Sequence, residues 1–224
     1  MTDKIQNTVF NEDCIQGMKM YPDKHFDWAI VDPPYGIGWD GGNDVTKKGR
    51  PDKFNRSENP KYTVKDWDEE KPTAEYWDQL FRVSKNQIVW GGNYFTEYLN
   101  PKKCWVFWDK LYDKTFNFSH GELAWTSLDT RMLKVAMSSK IETCGGLNKI
   151  HPCQKPVKLY KWLMNEFCKE GDLILDTHIG SGSSRIAAHI MKMQFVGFEI
   201  DKDYFEAQEK RFKDFKSQLT LDFK

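Results

Sequence analysis

Residues 32 to 35 read Asp32-Pro33-Pro34-Tyr35 and follow directly on the apolar run Trp28-Ala29-Ile30-Val31. Two consecutive prolines fix φ and supply no amide donors, so the carbonyls of Asp32 and Pro33 are free to accept hydrogen bonds from a ligand. The Asp32 carboxylate adds another acceptor, and the Tyr35 ring adds a face on which a planar base can stack, an interaction worth ~1–3 kcal/mol per base. Together these groups describe a socket for an exocyclic amine. On its own the tetrapeptide is also an ordinary way to end a strand.

A second segment changes that balance. Leu173-Ile174-Leu175-Asp176 reads as a strand, Thr177 to Gly182 as a glycine turn, and Ser183 to Met191 as the helix that follows. Gly180 and Gly182, flanking Ser181, let the backbone come close to a ligand, and Ser183 or Ser184 can cap a helix whose N-terminus favours a carboxylate. The next strand-like run, Gln194 to Ile200, puts Glu199 at its carboxyl end roughly 20 residues beyond the glycines, a spacing that suits ribose hydroxyls. Glu199 can alternatively be a helix-start charge beside Asp201, which itself reads as the cap of a helix over 202 to 217.

In these segments the chain resembles the DNA amino-methyltransferases, enzymes that methylate the ring amine of adenine or cytosine with S-adenosyl-L-methionine. In that family Asp-Pro-Pro-Tyr is the catalytic motif, and the aspartate form more often accompanies adenine. His151-Pro152-Cys153-Gln154-Lys155-Pro156 resembles the family's His-Pro-Thr-Gln-Lys-Pro stretch, and Asn11-Glu12-Asp13-Cys14 resembles its Gly-Asp-Cys element. The resemblance implies catalytic roles for Asp32, Pro33, Pro34 and Tyr35. It implies a cofactor pocket formed by Asp13, Cys14, Asp32, His151, Gln154, Lys155, Asp176, His178, Gly180, Ser181, Gly182, Ser183, Glu199 and Ile200. Within it, Asp13 meets the cofactor's adenine and Lys155 pairs with its carboxylate. Asp32 precedes the glycine segment, the permuted order known among these enzymes.

The implied reaction is direct in-line transfer to N6 of an adenine flipped out of double-stranded DNA, carried by positioning and electrostatics. Asp32 and the Pro33 carbonyl hold the amine hydrogens, and Tyr35 stacks on the base. One departure stands out: Asp176-Thr177-His178 replaces the usual Asp-Pro-Phe. A neutral imidazole at 178 can still stack beside the cofactor, or the change weakens binding. Alternative readings are cytosine N4, RNA, a protein glutamine (for which Asn-Pro-Pro-Tyr is typical), or a catalytically silent cofactor- or DNA-binding module. The intact Asp32 to Tyr35 argues against the last.

Elements must position these groups. Helical patterns over 12–20, 73–84, 157–169, 183–192 and 202–217 alternate with strand-like runs over 8–10, 27–31, 87–90, 104–108, 122–126, 173–176 and 195–200. The alternation predicts an α/β, Rossmann-like fold with a mainly parallel, doubly wound sheet. The chain's 224 residues, 39% hydrophobic and 15% aromatic, suit a single domain spanning 1–224. With 33 basic and 33 acidic residues the formal charge is zero, so any DNA-binding surface has to be local. Residues 36–72 read as a long loop whose Lys47, Lys48, Arg50, Lys53 and Arg56 can contact phosphates, the alternative being a plain solvated loop. Residues 109–150 are a candidate recognition segment.

Five cysteines with no Cys-x-x-Cys pair read as reduced thiols, with no zinc site, in the cytoplasm of a bacterium or phage-infected host. The sequence shows no apolar signal segment and no membrane-spanning run. The terminal Gln218, Leu221 and Phe223 follow the Gln-x-x-Leu-x-Phe pattern of peptides that dock on the sliding clamp, with folding back onto the sheet as the alternative. A homodimer is a further expectation inherited from the permuted relatives.

Overall fold

The computed structural model describes residues 6–38, 68–112, 119–138 and 149–221. One eight-stranded sheet runs through them, made of β1 (Asn7–Phe10), β2 (Phe26–Val31), β3 (Ser84–Trp90), β4 (Trp105–Asp109), β5 (Gly121–Thr126), β6 (Leu133–Ala136), β7 (Leu173–Asp176) and β8 (Gln194–Phe198). Their spatial order is β1-β8-β7-β2-β3-β5-β4-β6. From β1 to β3 every neighbour is parallel; β5 alone runs against both β3 and β4.

The strands are apolar on both sides because helices cover both faces. Along β2 the alternation is direct: Trp28 and Ile30 join the core on one face, Ala29 and Val31 the core on the other. The second face is covered by α1 (Cys14–Lys19) through Met18 and by α2 (Ala74–Val83) through Tyr76, Trp77, Leu80 and Val83. The opposite face carries Leu159, Leu163 and Met164 of α3 (Val157–Phe167) and Ala187 and Ala188 of α4 (Ser183–Ile190). Each such fully buried large side chain contributes about 1.5–3 kcal/mol relative to exposure. The last helix, α5 (Lys202–Leu221), begins where Asp201 Oδ1 accepts the amides of Asp203 and Tyr204, the cap its sequence predicts.

The structure alters three expectations. β3 starts at Ser84, directly after α2, because buried Ser84 seals the junction by donating to the Leu80 carbonyl at 2.5 Å. β6 has no counterpart among the predicted strands, and with β5 it places residues 121–126 and 133–136 of the candidate recognition segment in the sheet. Gln218 continues α5, which runs to Leu221; Phe223, the other end of the proposed clamp motif, lies outside the described residues. Lys47, Lys48, Arg50, Lys53 and Arg56 also lie outside them.

Candidate active site

β2 and β7 are neighbours, yet the chain leaves them in opposite directions: β2 leads through α2 to β3 on one side, and β7 through α4 to β8 on the other. A parallel sheet opens a crevice at such a switch point, beyond the carboxyl ends of its strands. Asp32 to Tyr35 leave β2 there, and Thr177 to Gly182 leave β7.

On the β2 side, both oxygens of Asp32 are engaged. The Tyr35 hydroxyl donates to Oδ1 at 2.8 Å and Lys155 Nζ donates to Oδ2 at 2.5 Å. Lys155 is 5% exposed, lies 3.1 Å from Glu122 Oε2, and sits 5.2 Å from the centre of the Trp90 ring. The other Glu122 oxygen takes Lys110 at 2.6 Å, so charges alternate from Lys110 through Glu122 and Lys155 to Asp32. Burial alone would lower the Lys155 pKa; Asp32 and Glu122 reverse that and hold the ammonium above its ordinary value.

Tyr35 is held through both its backbone and its ring. Its amide and that of Gly36 donate to Asp68 Oδ1 at 2.6 and 3.1 Å, and its ring stacks on Tyr94 with centroids 4.9 Å apart. Gly91, at φ +65°, lies so close that a β-carbon there would stand 2.2 Å from Tyr35 Cε1. Burial and the nearby Asp32 charge hold the phenol well above its ordinary pKa, so it is a stable donor. One ring face is thereby covered, a correction to the expectation of a tyrosine open for stacking; the surface that remains is shared with Tyr94.

The β7 side is built largely from hydroxyls, backbone amides and a buried carboxyl group. Asp176 accepts from the Ser184 hydroxyl at 2.5 Å and the His178 amide at 3.1 Å, and burial raises its pKa to about 7. Gly180 and Gly182 both have positive φ, +49° and +71°. Gly182 itself occupies the cap of α4, with no side-chain cap, which corrects the capping assigned to the serines. Ser183 instead meets Ser181 Oγ at 3.1 Å and Arg211 at 3.0 Å, while Arg211 also donates to the Ser181 carbonyl at 2.6 Å. The first turn of α4 carries no acidic residue.

Of the remaining predicted residues, Glu199 and His151 lie against this turn. Glu199 accepts the Gly180 amide at 2.9 Å and the Asp201 amide at 3.0 Å, so it holds the turn in place. Asp13 caps α1 through Oδ1 at 2.9 Å, and burial pushes the thiol of Cys14 up to about 12. The His151 ring packs on Tyr204 at 4.4 Å and lies 3.6 Å from where a Gly180 β-carbon would stand. Gln154 accepts the Ile150 amide at 2.9 Å, while its buried Nε2 has no partner among the described residues. Ile200 is exposed. Lys155, assigned by resemblance to a carboxylate of the cofactor, is committed to two carboxylates of the chain itself. Sequence reasoning missed Asp68, Glu122 and Lys110, isolated charges in loops or sheet with no motif around them, and Gly91, whose only signal is its place after a strand.

The comparisons with known proteins agree with this geometry. Residues 89–210, more than half of the chain, match the model of the N6/N4 DNA methylase family. The type II methyltransferase M2.DpnII of Streptococcus pneumoniae is 26% identical, over 86% of this chain and 84% of its own. M2.MboI of Moraxella bovis is 21% identical, over 96% and 91%. Among solved structures, the PvuII cytosine-N4-specific DNA methyltransferase aligns with a TM-score of 0.59 at 14% identity, over 92% of this chain and 86% of its own. The M1.HpyAVI complex with S-adenosylmethionine aligns at 0.57 and 17%, over 93% and 100%. With its paired strand ends, its Asp32-Pro33-Pro34-Tyr35 turn and its match to the family model, the chain belongs to the N6/N4 DNA methylases.

Proposed function

We propose that this chain transfers a methyl group from S-adenosyl-L-methionine to N6 of adenine in double-stranded DNA. The observation that carries the reading is the Asp32 carboxylate, pinned between Tyr35 and Lys155 at the carboxyl end of β2, next to the glycine turn of β7. The residues around that turn fit the cofactor. The acid-free N-terminus of α4 and the unpartnered Gln154 Nε2 offer donors to a carboxylate. When bound, the cofactor supplies an electrophilic methyl group on a sulfonium.

The chain's own residues orient the acceptor. Asp32 and the Pro33 carbonyl accept the two hydrogens of the amine, turning its lone pair away from the ring and toward the crevice. Pro33 and Pro34 bring no amide that would compete for those acceptors. Lys155 offsets the Asp32 charge without occupying the carbonyl, and Asp68 holds the turn so that the acceptors are preorganised. The Tyr35–Tyr94 pair gives the extruded base a surface to stack on. The aspartate in Asp32-Pro33-Pro34-Tyr35 favours adenine over cytosine by resemblance to the family.

The purified protein, incubated with S-adenosylmethionine and unmethylated duplex DNA, is then expected to yield N6-methyladenine on nucleoside mass spectrometry, and Asp32→Ala to yield about 10³-fold less under the same conditions. N4-methylcytosine would reassign the base. Absence of both would reject the reading.

A further inference from the structure

Helix α2 carries Tyr76 under the end of β7. Its hydroxyl lies 2.8 Å from Thr177 Oγ1, and the same Oγ1 lies 2.9 Å from His178 Nδ1. Tyr76 and Thr177 are buried, and neither side chain has another hydrogen-bond partner among the described residues. Two hydroxyl hydrogens therefore have to be distributed over two hydrogen bonds. If His178 donated from Nδ1, one of the two hydroxyl hydrogens, that of Tyr76 or that of Thr177, would be left buried with no acceptor. In the other direction Tyr76 donates to Thr177, Thr177 donates to His178 Nδ1, and both buried hydrogens are used. The second arrangement is favoured because an unmet buried donor loses its water and gains nothing.

An imidazole that accepts at Nδ1 and is neutral carries its hydrogen on Nε2. Burial keeps it neutral, drawing its pKa down to about 4, while the Asp13 charge opposes that only in part. Nε2 meets no partner among the described residues and is not one of the fully buried side-chain nitrogens. It is a donor left open on a partly exposed ring, in a crevice where the Asp13 carboxylate is near enough to be felt. A donor beside a carboxylate suits a neutral, acceptor-bearing heterocycle or ribose better than another anion.

We propose that the Tyr76–Thr177–His178 relay sets His178 Nε2–H as a binding donor to an acceptor atom on the adenosine portion of S-adenosylmethionine. The assignment rests on the cofactor reading above. It gives the departure from Asp-Pro-Phe a purpose: an aromatic hydrocarbon at 178 has no donor, so this pocket uses a directional hydrogen bond where the family pattern has a ring.

The test has two parts. Two-bond proton–nitrogen correlation spectra of the full chain without cofactor, at pH 7.5, are expected to show His178 as the Nε2–H tautomer. Thr177→Val is expected to convert it to a mixture. An Nδ1–H tautomer or an imidazolium in the wild type overturns the relay. Calorimetric titration with S-adenosylmethionine is expected to show about tenfold weaker binding for His178→Phe, as for the loss of one hydrogen bond, and binding within about threefold of wild type for His178→Gln, whose carboxamide restores a donor. Equal affinity of the wild type and His178→Phe overturns the assignment alone. Failure of the wild type to bind the cofactor overturns the cofactor reading and this assignment with it.

Discussion

At the carboxyl end of β2, a carboxylate is held by a phenol and a buried ammonium, and the run of charges continues through Glu122 to Lys110. At the end of β7, one strand away, the corresponding positions carry hydroxyls, backbone amides, an imidazole held neutral and a carboxyl group that keeps its proton to about pH 7. The crevice therefore has an ionic wall and a largely neutral wall, whose charged neighbours Glu199 and Arg211 are bound to a backbone amide, a carbonyl and a hydroxyl. In the proposed reaction the ionic wall faces the amine and supplies fixed charge. On the proposed reading the neutral wall faces a cofactor that carries its own charge, and it uses dipoles and turns that cost little to desolvate.

The ionic wall breaks first at its centre. Asp32→Ala is expected to lower kcat/KM by about 10³, comparable to removing a preorganised transition-state partner, while leaving cofactor affinity within a few-fold. Lys155→Met strands two carboxylates against each other; a loss of about 3 kcal/mol in stability is expected in urea unfolding, moderated because Asp32 and Glu122 are partly exposed.

The neutral wall is sharpened by pH. The folded Asp176 carboxyl holds its proton between the ordinary 3.8 and about 7, where the unfolded chain has lost it, so stability falls as pH rises through that window. For His178 the unfolded chain takes up a proton below 6.5 while the folded chain resists until about 4, so stability falls as pH drops through that window. Asp176→Asn is expected to flatten the first slope and His178→Phe the second, by at most about 4 and about 3 kcal/mol respectively. Thermal unfolding across pH 4 to 8, measured for both variants, separates them.

Gly91→Ala probes the support of the ionic wall without touching a charge. A left-handed φ and the Tyr35 ring both oppose a β-carbon there, so a loss of about 2 kcal/mol and a displaced Tyr35 are expected. The smallest effect belongs to Glu122→Gln, which keeps the shape and removes one charge from a partly exposed position; under about 1 kcal/mol in stability is expected, with a larger loss in kcat than in KM.

The strand ends were legible in the sequence because each carries a local signature. Asp32 to Tyr35 interrupt an apolar run with two prolines, and Gly180 to Gly182 break a strand-to-helix transition. The cap at Asp201 was legible for the same reason. What the sequence hid is long-range. Lys155 is 123 residues from Asp32, and nothing in its own hexapeptide says that Glu122 and Asp32 are its partners. β6 hid because Leu133-Lys134-Val135-Ala136 is four residues long and sits beside β4 at an edge, where alternation has little room to be read. Glu199 stands where a ribose contact is expected and also accepts the amides of Gly180 and Asp201, contacts that no local pattern announces.

The most direct measurement of the account is made in a bacterial host lacking adenine methylation. The wild-type chain and Asp32→Ala are each expressed, and modified bases are mapped across the host genome by single-molecule sequencing. The account predicts N6-methyladenine in a fixed sequence context with the wild type and none with Asp32→Ala. Methylation that persists in Asp32→Ala, or a genome left unmodified by a wild-type chain that binds S-adenosylmethionine, would contradict it.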